Sequence, residues 1–267
     1  MVAVIKLGGS VLTGLDAFPR VASALAGRVA DDPSLKLVVI VSAEHGATDN
    51  LLALAESISS DPDPRALDLL WATGELRSVA LLTLALQARG IDAVGLNVHE
   101  TGIRHDAKGL RYDPEGSYYS VSPAAHRIVV LPGFLARGDG DSIVSLGRGG
   151  SDLTAVLVAI ALRATECELI KDVPGYFTAD PAFNPDAQQI SALTYDAALE
   201  TAQQGCGVVQ GAAIEEAART GLPIRVRGLD FGSSSTLISG YRNDAGISAP
   251  SVSEAWHAVG WGPTATH

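Results

Sequence analysis

Ser145–Leu–Gly–Arg–Gly–Gly–Ser–Asp152 runs straight into Leu153–Thr–Ala–Val–Leu–Val–Ala–Ile–Ala–Leu162. A glycine-rich turn carrying an arginine, a serine and an aspartate thus opens a segment with no charge and no breaker. A helix that is apolar all round is a buried helix, and the turn puts its N-terminus at Gly149–Asp152. Helix N-termini present unpaired N–H groups and the positive end of a dipole, which suits an anion. Arg148 adds a planar fork for a carboxylate or phosphate. The same residues would also serve as an ordinary cap, and the stretch alone leaves both readings open.

A buried helix must be covered, and its neighbours say by what. Val2–Leu7, Leu35–Ser42, Ile91–Leu96, Arg127–Leu131, Ser142–Ser145, Cys167–Lys171, Pro223–Arg227 and Ser235–Ser239 are short runs that read as strands, most of them apolar. Helical patterns lie between them: up to about Ala30, Thr48–Ile58, Arg65–Arg89 with an interruption at Gly74, Tyr195–Gln204 and Ala212–Arg219. Residues 104–125 are polar and suggest a hairpin or flap. Such alternation predicts an α/β fold, a three-layer αβα sandwich with a mainly parallel central sheet. There is no internal repeat. Residues 1–240 read as one domain in two lobes, about 1–145 and 146–240, followed by a tail over 241–267. Trp256 and Trp261 argue that part of the tail docks.

Composition removes several function classes. A net charge of −11 over 267 residues leaves no basic stripe for nucleic acid and no attraction to an anionic membrane surface. No run reads as long enough to span a bilayer, and Met1–Lys6 does not read as a signal peptide. The expected setting is the cytosol. Cys167 and Cys206 lack metal-ligand spacing and read as free thiols. No metal site is expected. Lysine is rare, so each lysine inside a motif carries information.

Lys6–Leu–Gly–Gly–Ser10 ends the first strand, where glycines let a polyphosphate approach the backbone and Lys6 supplies charge. A plain strand-to-helix turn is the other reading. Ser42–Ala–Glu–His–Gly–Ala–Thr–Asp49 follows the second strand, at the sheet edge where open α/β folds bind ligands. Thr48 or Asp49 would alternatively cap the next helix. Glu75 falls on a helix face shared with Trp71, Ser78, Val79 and Leu82. A carboxylate there needs a partner: Arg77, another internal group, or a ligand ammonium. Lys171–Asp172 ends a later strand and reads as an exposed ion pair or as a phosphate contact.

In order along the chain, these motifs resemble the catalytic domain of the aspartokinases, within the amino acid kinase family. The resemblance covers roughly residues 2–240. It rests on Lys6–Ser10, Val41–Ala43 with Gly46–Asp49, Thr73–Gly–Glu75, Pro132–Gly–Phe134, Leu146–Asp152, Lys171–Asp–Val–Pro–Gly175, Thr178–Ala–Asp–Pro181 and Gly232–Ile238. The resemblance implies the amino acid kinase fold and transfer of a phosphoryl group from ATP, with Mg²⁺ on the phosphates, to the side-chain carboxylate of L-aspartate. It implies that Lys6 and Asp152 are catalytic. Thr48, Glu75, Phe134, Arg148 and Ser151 would bind the amino acid, with Arg148 on its carboxylate and Glu75 on its ammonium. Gly8, Gly9, Ser10, Lys171, Asp172, Phe177, Asp180 and Pro181 would border the nucleotide. The first lobe would be the substrate side and the second the nucleotide side. A homodimer is implied as well.

The chain departs from the family pattern in three places. Lys171 stands where the family often has threonine, Ala182 where it has arginine, and Gly207 where it has lysine. The expectation is that Lys171 replaces the missing phosphate charge. Two other functions stay open: a kinase for another small acidic amino acid or carboxylate, and a catalytically impaired nucleotide-binding subunit. About 27 residues after Gly240 are too few for an ACT regulatory domain, since stable domains start at roughly 40 residues. No feedback control by lysine or threonine is therefore expected.

Overall fold

The computed structural model describes residues 1–114, 126–147, 149–205, 208–232 and 234–240. Arg148, Cys206, Gly207, Trp256 and Trp261 lie outside the described residues, as do the tail over 241–267 and residues 115–125 of the expected flap.

Among the described residues, fourteen strands and six α-helices follow one another as β1 (Val2–Leu7), α1 (Ala17–Asp31), β2 (Lys36–Val41), α2 (Ala47–Ile58), α3 (Pro64–Gln87), β3 (Ala93–Gly95), β4 (Ile103–Asp106), β5 (Gly109–Tyr112), β6 (Ile128–Pro132), β7 (Leu135–Arg137), β8 (Ile143–Ser145), α4 (Gly150–Ala161), β9 (Cys167–Ile170), β10 (Tyr176–Phe177), β11 (Gln189–Ile190), β12 (Ala192–Leu193), α5 (Tyr195–Gln203), α6 (Gly211–Thr220), β13 (Ile224–Arg227) and β14 (Ser235–Ile238). Eight of the strands form the main sheet, in the order β12-β14-β13-β9-β1-β2-β6-β3. Every neighbouring pair in it is parallel except β13–β14.

Alternation along the central strands sends side chains to two cores. Val4, Val38, Ile40 and Leu169 pack under α4, α5 and α6. Ile5, Leu7, Leu37, Val39 and Ile170 pack under α1 and α3. With both faces covered, these strands can be apolar throughout, which is why they are legible as unbroken runs. The three-layer αβα sandwich is the observed architecture.

Strands β1 and β9 pair in parallel, yet the chain leaves them toward opposite faces. After β1 it passes through α1 on one face; after β9 it reaches α5 and α6 on the other. A crevice beyond the carboxyl ends of two such strands is where open α/β sheets bind ligands. Lys6 stands near that end of β1, opposite Leu169 in the register, and Lys171 directly follows the last residue of β9.

Some expectations need correction. Helix α3 is continuous through Gly74. The glycine serves close packing instead: a Cβ there would lie 3.2 Å from the Ala43 Cβ. Strand β7 and the two-residue strands β10, β11 and β12 have no counterpart among the expected elements. Helix α3 is also long and apolar enough to cross a membrane by length and composition. Its Ala72 joins a small core with Leu135, and its Val79, Leu82 and Leu86 face the main sheet, so core packing accounts for its apolar character. Cys167 is a free buried thiol as expected, and burial pushes its pKa well up, which leaves it inert.

Candidate active site

Asp152 organises the crevice. Helix α4 begins at Gly150, behind a left-handed Gly149, so Asp152 falls in the first turn with its side chain turned inward. It is 1% exposed. Lys6 Nζ lies 2.8 Å from Oδ1, and Lys171 Nζ donates to Oδ2 at 3.1 Å and to Oδ1 at 3.3 Å. The Gln210 N–H, at the residue before α6, reaches Oδ2 at 3.5 Å. One carboxylate from the helix thus bridges a lysine from each of two parallel strands. Burial pushes the Asp152 pKa up, but the two ammonium charges outweigh it and leave the group at about 2. Asp152 is therefore a permanent anion and no proton carrier at neutral pH. Burial, with repulsion from Lys6, lowers the Lys171 pKa against the pull of Asp152.

Three clefts share Lys171, and two of them hold most of the candidate residues. The first, of about 530 Å³, is lined by Lys6, Gly9, Thr48, Glu75, Phe134, Ser151, Asp152 and Lys171. The second, of about 400 Å³, is lined by Ser10, Lys171, Asp172, Phe177, Asp180 and Pro181. Lys171 belongs to both. The described candidates for the amino acid therefore gather in one cleft, and most of those for the nucleotide gather in the other.

Gly8 does not fit as a phosphate donor through its N–H, which bonds Ile170 O at 3.1 Å and extends the sheet. Gly9 and Ser10 open the short 3₁₀ turn that follows, where N–H groups have no intrahelical acceptor. Neither Thr48 nor Asp49 caps α2; Gly46 holds that position in a left-handed conformation, and both side chains line the first cleft. Lys171 pairs with Asp152 and not with its neighbour Asp172.

Glu75 sits on the inner face of α3 and is 3% exposed. Arg77 does not satisfy it: that guanidinium pairs with Glu44 at 3.0 Å. Desolvation drives the Glu75 carboxyl up to about 8, against a backbone hydrogen bond from Ala43 and the charge of Lys6. Its Oε2 has no hydrogen-bond partner among the described residues. One turn earlier, Trp71 lines the same cleft and its buried Nε1 is equally unpartnered. A buried polar group left unpaired costs ~1–3 kcal/mol, so both atoms call for a partner arriving in the cleft. Sequence reasoning placed Trp71 on the face of Glu75 and gave it no role; the four-residue spacing was the available signal.

Phe134 reaches the cleft from a backbone at φ 64°, and its ring meets Trp71 edge-on at 5.9 Å and 74°. Gly133 makes the approach of β6 to α4 possible: a Cβ there would lie 2.6 Å from the Ser151 Cβ. Among the described residues, no group of three His, Cys, Asp or Glu side chains could hold a metal ion.

Comparison with known proteins agrees with this geometry. Residues 1–228 match the amino acid kinase family. The chain is 39% identical to aspartokinase 2 of Bacillus subtilis over 206 residues, which are 76% of this chain and 50% of that protein. It is 38% identical to an aspartokinase of Thermus thermophilus over 229 residues, 83% of this chain and 55% of that one. Among solved structures, aspartate kinase from Synechocystis superposes with a TM-score of 0.78 at 34% identity, over 92% of this chain and 41% of that one. The chain spans about half the length of the curated relatives it matches. With a family match over most of its length and a carboxylate bridging lysines from two parallel strands at the expected crevice, the chain belongs to the amino acid kinase family.

Proposed function

We propose that the chain transfers a phosphoryl group from ATP to the side-chain carboxylate of L-aspartate. The observation that carries the proposal is Asp152 clamped between Lys6 and Lys171 where the two clefts meet. Phosphoryl transfer asks little covalent chemistry of a protein; it asks for alignment and for positive charge at the transferring group. Lys6 and Lys171 supply that charge between the clefts. Asp152 fixes their spacing. A substrate carboxylate has an ordinary pKa of roughly 4, so it is already ionised and needs no general base.

In the first cleft, Glu75 accepts from the substrate ammonium, while Thr48, Phe134 and Ser151 shape the pocket. Arg148 is proposed for the substrate carboxylate on the family resemblance alone. In the second cleft, Ser10, Asp172, Phe177, Asp180 and Pro181 border the nucleotide. Gly9, whose side lines the first cleft, and Ser10 offer amides to the phosphates. The substrate lobe would be about 1–145 and the nucleotide lobe about 146–240. With no cluster to cage a metal among the described residues, Mg²⁺ enters as part of the nucleotide substrate. A cytosolic homodimer belongs to the same proposal and rests on family resemblance.

Hydroxamate trapping of acyl phosphate, with Mg·ATP and a panel of acidic amino acids, tests the proposal. Trapping with L-aspartate is expected. Trapping only with another acid would reassign the acceptor, and ATP binding without trapping would make the chain a nucleotide-binding subunit.

A further inference from the structure

We propose that Trp71 is a substrate-recognition residue whose indole N–H donates to the carboxylate beside the ammonium of the bound amino acid. This rests on the assignment of the first cleft to an acidic amino acid. Trp71 and Glu75 stand four residues apart on α3, so their side chains share one face. Both line the cleft, and each ends in a buried atom with no partner among the described residues: a donor at Nε1, an acceptor at Oε2. A free amino acid presents the complementary pair, an ammonium to give and a carboxylate to accept, joined through a single carbon.

The proposal assigns the indole to the carboxylate that does not react. Lys6 lines the same cleft and belongs to the Asp152 cluster, where the reacting carboxylate is proposed to lie. With the ammonium at Glu75, the remaining carboxylate is assigned to Trp71, one turn earlier on α3. The donor is also held in place. The Trp71 ring meets Phe134 edge-on, and the Phe134 backbone is fixed against α4 through Gly133. An indole can donate but cannot accept, so it discriminates by charge pattern: a substrate lacking that carboxylate leaves the N–H unpaired.

Replacing Trp256 and Trp261 by phenylalanine leaves Trp71 as the sole indole. In that ¹⁵N-labelled chain, titration with L-aspartate is expected to move the single indole N–H resonance downfield, saturating with the same midpoint as turnover. Trp71→Phe, which keeps a ring against Phe134, is expected to raise the aspartate KM about tenfold, with the ATP KM and kcat within twofold. A merely structural role would shift kcat and both KM values together. An indole unmoved at saturating aspartate in an active chain would overturn the assignment, as would an unchanged aspartate KM in Trp71→Phe. If no acidic amino acid in the panel is phosphorylated, the parent proposal fails and this one falls with it.

Discussion

At the scale of single residues, the centre is three charges sharing one buried volume. Removing one partner leaves an uncompensated charge, which is far costlier than losing an exposed ion pair. Lys171→Ala is expected to raise the ATP KM at least tenfold or abolish turnover, with the fold retained by circular dichroism; near-normal kinetics would show that Lys171 does not replace the family's missing cation. Glu75 sets a pH dependence. Below about 8 its carboxyl keeps a proton and offers the substrate ammonium no charge. The aspartate KM should therefore fall by up to tenfold per pH unit between pH 6 and about 8, then level off. Glu75→Gln should raise KM and flatten that profile. The sign for stability is opposite: a carboxyl with a raised folded pKa binds more protons folded than unfolded, so the ligand-free chain loses stability as pH rises from 4.5 to about 8. The sequence showed that Glu75 needed a partner. It could not show that Arg77 turns outward to Glu44, because side chains two apart on a helix face different ways. Nor could it say which carboxylate Lys171 meets: Asp172 is adjacent in sequence, but the fold brings Asp152 from the start of α4, 19 residues away, instead.

At the scale of elements, the site depends on how closely α4 approaches the end of β6. Gly133→Ala would place a methyl 2.6 Å from the Ser151 Cβ and 2.9 Å from its Cα. Neither neighbour is the free end of a flexible chain, so the start of α4 must retreat, and Asp152 with it. A loss of ~1–3 kcal/mol in stability and at least a tenfold fall in kcat are expected from urea unfolding and steady-state kinetics. Retained kcat would mean that the lysine clamp tolerates a displaced helix. The helices and central strands were legible because burial on both faces writes unbroken apolar runs into the sequence. The opening of α4 was legible for a different reason: Gly149 and Gly150 open the helix and Asp152 is the first charge after them. Strands β10, β11 and β12 have two residues each, too few to carry any period. Strand β7 follows Pro132–Gly133 and reads as the continuation of a turn. Gly74 reads as a breaker by propensity, but tertiary packing against Ala43 overrides it.

At the scale of the whole molecule, the crevice exists only if β9 and β13 hold their place beside β1 and α1. A second buried charge cluster spans that joint. Glu168 on β9 is 2% exposed and accepts from Arg28 of α1 and from Arg227 of β13, the latter at 3.0 Å. Arg28 also lies over the Phe231 ring at 4.7 Å, and Arg227 donates to Phe231 O and Gly232 O. One carboxylate therefore ties a helix before β2 to two strands beyond α4. In the sequence Glu168 is a charge beside Cys167 in a strand, with nothing local to reveal partners 140 and 59 residues away. Burial raises the Glu168 pKa, but Arg28 and then Arg227 more than reverse it, so the folded value lies below the ordinary one. Stability from this group is thus present above about pH 4.5 and is lost as pH falls through the lower folded value. Glu168→Ala strands two guanidinium groups in the joint, at a cost of about 3–5 kcal/mol, or a fall in Tm of roughly 10 °C for a chain of this size. Glu168 touches neither cleft, so kcat and both KM values measured well below the lowered Tm should stay within twofold of the parent. An unchanged Tm would mean that the joint is held by its apolar packing alone. A lowered Tm with altered KM values would mean that the β1–β9 crevice takes its shape from this cluster as well as from the sheet.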